Sequence, residues 1–136
     1  MPIQPYLNFN GRAEEAIEFY KRALGAKVTR LMRFKDMPGP RPPSMDPRND
    51  EKVMHSDLRI GDTTIHASDG QCQGAPTFSG ISLSLTAPSD AEAERLFAAL
   101  SDGGKVTMPM NKTFFASRFG MLNDRFGVAW MVVVER

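Results

Sequence analysis

The chain has 136 residues, 41% of them hydrophobic and 24% charged, the make-up of one folded domain and not of a disordered chain. Its 17 basic and 16 acidic residues leave a formal net charge of +1 with no basic block, so nucleic acid and anionic membrane surfaces are poor partners. One cysteine, Cys72, excludes an internal disulfide and a cysteine-cluster metal site, and fits a reducing, cytoplasmic setting.

Residues 1–11 show no basic start followed by an apolar run, so no signal peptide is expected. No apolar run approaches the roughly 18 residues of a membrane span. Residues 3–9 predict a short strand, with Leu7 and Phe9 on one face and Gln4, Tyr6 and Asn8 on the other. Asn10-Gly11 breaks it, and Asn10 is placed to cap the next helix. Ala13, Ala16, Ile17, Tyr20 and Leu24 form an apolar stripe at helical spacing, and Gly25 supplies a left-handed stop. Residues 27–34 predict a strand whose alternation slips between Val28 and Leu31.

Residues 36–51 hold Pro38, Pro40, Pro42, Pro43 and Pro47, five of the chain's 10 prolines, which excludes a central strand. So long a loop is either a lid over a site, with 38–47 as the cover, or a tolerated surface insertion. Residues 53–60 and 63–69 flank Gly61-Asp62 and predict a tight hairpin. Counting outward from the turn pairs Ile60 with Thr63, Leu58 with Ile65, Asp57 with His66 and His55 with Ser68. One face then carries Met54, Leu58, Ile60, Ile65 and Ala67, and should pack on a helix. The other carries His55, Asp57, Arg59, Thr64, His66 and Ser68, and either meets water or lines a polar cavity.

Residues 71–79 predict a linker between a first module, 1–70, and a second, 80–136. In the second, residues 80–87 predict a strand with Leu83 and Leu85 opposite Ser82, Ser84 and Thr86. Ser89 and Glu92 have the spacing of a capping box. Ala93, Leu96, Phe97 and Leu100 form the helix stripe, which Gly103-Gly104 ends. A strand over 106–110 and a hairpin of 114–122 with 128–134 complete the chain. The two helices match when shifted by 77 residues, and their Gly-x-Lys-Val exits when shifted by 78, so the second helix end holds one extra residue. This internal repeat predicts two strand–helix–three-strand halves, an α+β chain with helices on one face of each sheet.

That doubled unit resembles the plan of the vicinal oxygen chelate superfamily, which includes glyoxalase I, extradiol dioxygenases and bleomycin-resistance proteins. The segments PYLNFNGRAEEAIEFYKRALGA, GISLSLTAPSDAEAERLFAAL and TFFASRFGMLNDRFGVAWMV resemble its PhnB-like branch, DRFGVAWM being the most specific. The resemblance spans nearly the whole chain except the proline loop. It implies a single domain of two βαβββ modules forming a curved mixed sheet, a homodimer and a small-molecule cleft. In metal-using members each half's first and last strands supply one ligand, and the resemblance carries those positions to Gln4, His66, Ser82 and Met131. Only His66 is a strong ligand: Ser82 is a poor one, and Met131 suits soft metals alone. A borderline divalent ion wants three or more N/O side chains, so neither a metal nor any other cofactor is expected.

Candidate residues carry bland readings beside sharp ones. Asp57 opposite His66 is a possible general-base pair, or a polar pair on a wet sheet face. His55 either joins it or is a rim residue. Tyr6, Asn8 and Ser82 supply hydrogen-bonding groups for a ligand cup, or simply meet water. Strand parity puts Trp130 with Val128 and Val132 in the core and lets Phe114 or Phe115, but not both, face the cup. The nine methionines are gap-fillers, with Met131 as a pocket wall. Cys72 has no CxxC partner and no neighbouring His, and no GxGxxG, P-loop or GxSxG occurs. PhnB-like proteins are sometimes labelled methyltransferases, but no glycine-rich strand–turn–helix for S-adenosylmethionine is visible here. The reading is a metal-independent small-molecule binder with Tyr6, Asn8, His55, Asp57, His66, Ser82, Phe115 and Met131 as contacts, His66 and Asp57 being the catalytic candidates. A metal-dependent lyase, isomerase or dioxygenase and a ligand-free dimeric module are the alternatives.

Overall fold

Two four-stranded mixed sheets, each carrying one helix, make up the computed structural model of the chain, which describes residues 1–39, 47–70, 72 and 74–136. The chain divides into a first unit, Met1–Pro76, and a second, Thr77–Arg136. The first contains β1 (Tyr6–Asn8), α1 (Ala13–Leu24), β2 (Lys27–Arg33), β3 (Val53–Ile60) and β4 (Thr63–Ser68). The second contains β5 (Leu83–Thr86), α2 (Asp90–Ser101), β6 (Lys105–Asn111), β7 (Ala116–Asn123) and β8 (Ala129–Glu135). The sheet orders are β1-β4-β3-β2 and β5-β8-β7-β6, with β1/β4 and β5/β8 parallel and the other pairs antiparallel. The two halves therefore repeat one topology, and the α+β class is as the element order predicts.

The repeat extends to an irregularity. A register shift falls between Val28 and Arg30 in β2 and between Val106 and Met108 in β6. Each leaves one residue, Thr29 or Thr107, out of step, which is the effect of a β-bulge. The first explains the slipped alternation: Val28 pairs with Leu58 and Leu31 with Ser56, two residues of one face.

In the first unit, α1 packs on β3 and β4. Phe9, Ala16, Tyr20, Leu58 and Ala67 are fully buried there, and Leu7, Ile17 and Ile65 nearly so. Burying one such large apolar side chain contributes about 1.5–3 kcal/mol. In the second unit, α2 packs on β6, β7 and β8, burying Ala93, Leu96, Phe97 and Leu100 against Leu122, Trp130 and Val132. Trp130 is core as predicted, and its Nε1 donates to Asp124 Oδ2 at 3.0 Å.

The helix starts differ from expectation. Asn10 does not cap α1: it sits at φ 51°, and the N-cap residue is Arg12, with no side-chain cap. Buried Asp69 does the work instead. Its Oδ1 accepts from Gly11 N and Ala13 N, both at 2.8 Å, and its Oδ2 from Val53 N at 2.8 Å. A carboxylate 56 residues away in sequence is invisible to a local capping rule. Ser89 does cap α2, accepting from Glu92 N at 3.2 Å, but the Glu92 carboxylate turns to Arg95, so the box is half made. Gly25 ends α1 at φ 67°, as read from the sequence.

The predicted hairpin register holds from Ile60–Thr63 to Ser56–Ala67, including Asp57–His66. The expected His55–Ser68 step lies beyond those pairs. Asp69 N donates to Val53 O at 2.8 Å, one residue out of register, and β2 shifts register between Met32 and Arg33. That slip lets Val53 turn into the core against its parity. The first strand is three residues long, not seven. The cover expectation over 38–47 rests on residues that include Pro40, Pro42 and Pro43, outside the described residues. No helix among the described residues is long and apolar enough to cross a membrane.

Candidate functional site

Strand alternation puts His55 and Asp57, two residues apart, on one face of β3, and antiparallel register sets His66 of β4 opposite Asp57. Parallel pairing of β1 with β4 sets Tyr6 beside His66. This is the face away from α1, and it gathers both histidines of the chain on one carboxylate.

Asp57 Oδ1 lies 2.7 Å from His55 Nε2 and 2.7 Å from His66 Nδ1. Tyr6 Oη lies 3.2 Å from His55 Nδ1, and Gln4 Oε1 lies 2.8 Å from His66 Nε2. The Tyr6 ring stacks on His66 at a centroid distance of 5.6 Å, and the two imidazoles are 5.3 Å apart. The side chains of His55, Asp57 and His66 are half-buried, at 21–28% exposure, so solvent reaches them. Burial pushes the Asp57 carboxyl up, but hydrogen bonds from His66 and His55 outweigh it and hold the group below its ordinary value. Asp57 is therefore ionised at neutral pH and accepts, so both facing ring nitrogens donate. His55 Nδ1, when unprotonated, then accepts from the Tyr6 hydroxyl. The result is a linked row of polar side chains, Tyr6–His55–Asp57–His66–Gln4, across three neighbouring segments.

The sequence-predicted residues divide. Tyr6, His55, Asp57 and His66 come together, and His55 bonds Asp57 directly instead of standing at a rim. Gln4, two residues before β1, joins them on His66. Asn8 does not join: its Oδ1 accepts from Ser68 Oγ at 2.8 Å, which ties β1 to the end of β4. Ser82, Phe115 and Met131 belong to the second unit. Ser82 is exposed just before β5, and Met131 is half-buried beside Met121 and Ser84. Phe114 and Phe115 precede β7, so strand parity does not govern them: both are exposed, and Phe115 meets Phe119 edge-on at 5.2 Å. Met108, Met121 and Met131 line up across β6, β7 and β8, exposed or half-buried, which makes them a surface more than gap-filling.

The four positions that the resemblance offers for a metal do not fit one. The Ser82 hydroxyl is a weak donor and the Met131 thioether a soft one, so a hard or borderline ion would find two good partners at most. The missed feature lies elsewhere: His55, Asp57 and His66 present one ligand atom each within 4.8 Å of one another. A His-x-Asp step on a strand facing a histidine on the next strand is the signal from which it was legible.

A helix-backed, doubled βαβββ chain with a polar sheet face is the architecture of the glyoxalase/bleomycin-resistance/dioxygenase superfamily. A domain of that description from Frankia sp. EAN1pec shares the fold at 16% identity and TM-score 0.62. The model of the 3-demethylubiquinone-9 3-methyltransferase family matches residues 2–133, and the chain belongs to this PhnB-like family. It is 36% identical to Escherichia coli protein YjdN over 142 residues, covering 100% of this chain and 97% of that one. It is 44% identical to the structure of protein PA1353 from Pseudomonas aeruginosa, with TM-score 0.87 and coverage of 99% and 98%. It is 27% identical to a putative 3-demethylubiquinone-9 3-methyltransferase, PhnB protein, from Bacillus cereus, with TM-score 0.80 and coverage of 98% and 99%.

Proposed function

We propose that this chain binds a small molecule on the polar face of its first sheet. The observation that carries the reading is the convergence of both histidines, Tyr6 and Gln4 around one half-buried, ionised carboxylate. A few oriented polar groups on rigid strands, with part of their surface open, is what a small ligand requires. Hydrogen bonding suffices for this binding, and no metal is invoked. His66, held by Asp57, is the proton-transfer group of the site and the catalytic candidate. In the second unit, Ser82 is the proposed polar contact and Phe115 and Met131 the proposed apolar ones. The chain is proposed to act as a homodimer in the cytoplasm.

The test is an NMR screen of untagged protein against a metabolite library, run with a chelator present. Ligands are expected to shift Tyr6, His55 and His66 resonances, and His66→Ala to weaken them at least tenfold, about 1.4 kcal/mol. A library without a binder, or binders indifferent to His66→Ala, overturns the reading.

A further inference from the structure

We infer that His55, Asp57 and His66 form a binding site for one divalent transition-metal ion, with all three ligands drawn from a single sheet. This goes beyond the ligand reading, which needs no ion, and it uses a different residue set from the four positions that span both halves.

The donor chemistry selects the ion. Two imidazoles and one carboxylate suit Zn²⁺, Ni²⁺, Co²⁺ or Fe²⁺ and disfavour Mg²⁺ and Ca²⁺, which take oxygen. The geometry is close. His55 Nε2 and His66 Nδ1 each lie 2.7 Å from Asp57 Oδ1. Tetrahedral coordination at the usual zinc bond lengths separates neighbouring donors by about 3.3 Å, so an opening of about 0.6 Å admits the ion. Strand backbones fix all three residues, so rotation of side chains provides that opening. Partial exposure leaves room for water or a substrate atom in the remaining positions.

The outer nitrogens supply an independent argument. A ligating imidazole offers a lone pair to the metal and carries its proton on the other nitrogen, which needs an acceptor. His66 Nε2 already faces Gln4 Oε1 at 2.8 Å, and His55 Nδ1 faces Tyr6 Oη at 3.2 Å. The Gln4 amide can turn either end to that nitrogen, and its oxygen is the acceptor a metal-ligating His66 requires. Metal entry then moves each proton from the ring nitrogen facing Asp57 to the outer one. For neutral imidazoles no net proton is released.

The experiment titrates Zn²⁺ into full-length, untagged, chelator-stripped protein by calorimetry, without any other ligand. One ion per chain is expected, with no competition from millimolar Mg²⁺. His55→Gln and Asp57→Asn, checked for folding by circular dichroism, should each weaken binding at least tenfold. Because the chain has two histidines, their imidazole nitrogen shifts are assignable in the wild type, and coordination should appear at Nε2 of His55 and Nδ1 of His66. That readout serves if a variant fails to fold. Sub-stoichiometric binding, affinity unchanged in a folded variant, or imidazole nitrogens unmoved by zinc overturns the inference. None of these outcomes touches the ligand reading, whose screen is run in chelator.

Discussion

Asp57 is the residue on which the site turns, and its energetics have a sign that can be measured. Its folded pKa lies below the ordinary carboxyl value because His66 and His55 donate to it against the opposing effect of burial. A group of this kind contributes stability that is fully present above its unfolded pKa of about 3.9 and is lost as pH falls through the lower folded value. Asp57→Asn should therefore destabilise the protein at pH 7 by urea unfolding, and the gap to wild type should shrink below pH ~4. A gap that stays constant down to acid would disprove the pairing. The register count from Gly61-Asp62 made the Asp57–His66 half of this cluster legible in sequence. The alternation of β3 also put His55 on the same face, but its bond to the same oxygen was left open there, because rotamer choice and not backbone spacing decides it.

Helix α1 depends on a partner outside itself. Three backbone N–H groups, two at its start and one at the start of β3, end on the buried Asp69 carboxylate. Hydrogen bonds to a charged group are each worth about 1.5–3 kcal/mol, and removal strands buried donors. Asp69→Ala should cost at least ~3 kcal/mol, read as a drop in urea midpoint, while Asn10→Ala, strained at φ 51°, should cost about 1 kcal/mol. Equal losses for the two would restore the local cap. In the second unit the close element contact is α2 on β7. A Cβ added at Gly120 would meet Phe97 Cε2 at 2.7 Å and Met110 Sδ at 2.6 Å. Overpacking of this kind costs about 1–3 kcal/mol, so Gly120→Ala should lower Tm by several degrees. An unchanged Tm would mean that the Met110 and Phe97 side chains move aside to admit the methyl group.

At the scale of the whole molecule, a near-balance of 17 basic and 16 acidic residues removes long-range charge as an organising force. Burial and hydrogen bonding are left to decide association. Val106, Met108, Phe114 and Phe115 are exposed apolar residues of the second unit, at 41%, 45%, 93% and 47%. Exposed apolar side chains of this kind motivate the proposed homodimer. Light scattering at micromolar concentration should return twice the 15.1 kDa chain mass, and Met108→Asp should shift it toward one chain. A single-chain mass for the wild type at all concentrations refutes the dimer.

Element order, internal repeat, hairpin register and polar face are all written in the order of the residues. Each of these follows from alternation, helical spacing and turn residues, which are local. Packing between distant segments settles that Asp69 caps α1, that Val53 turns inward, that Asn8 is spent on Ser68 and that His55 bonds Asp57. Those outcomes depend on which strands become neighbours and on how their side chains share one carboxylate. A hydrogen bond between residues tens of positions apart leaves no periodic trace in the chain that makes it.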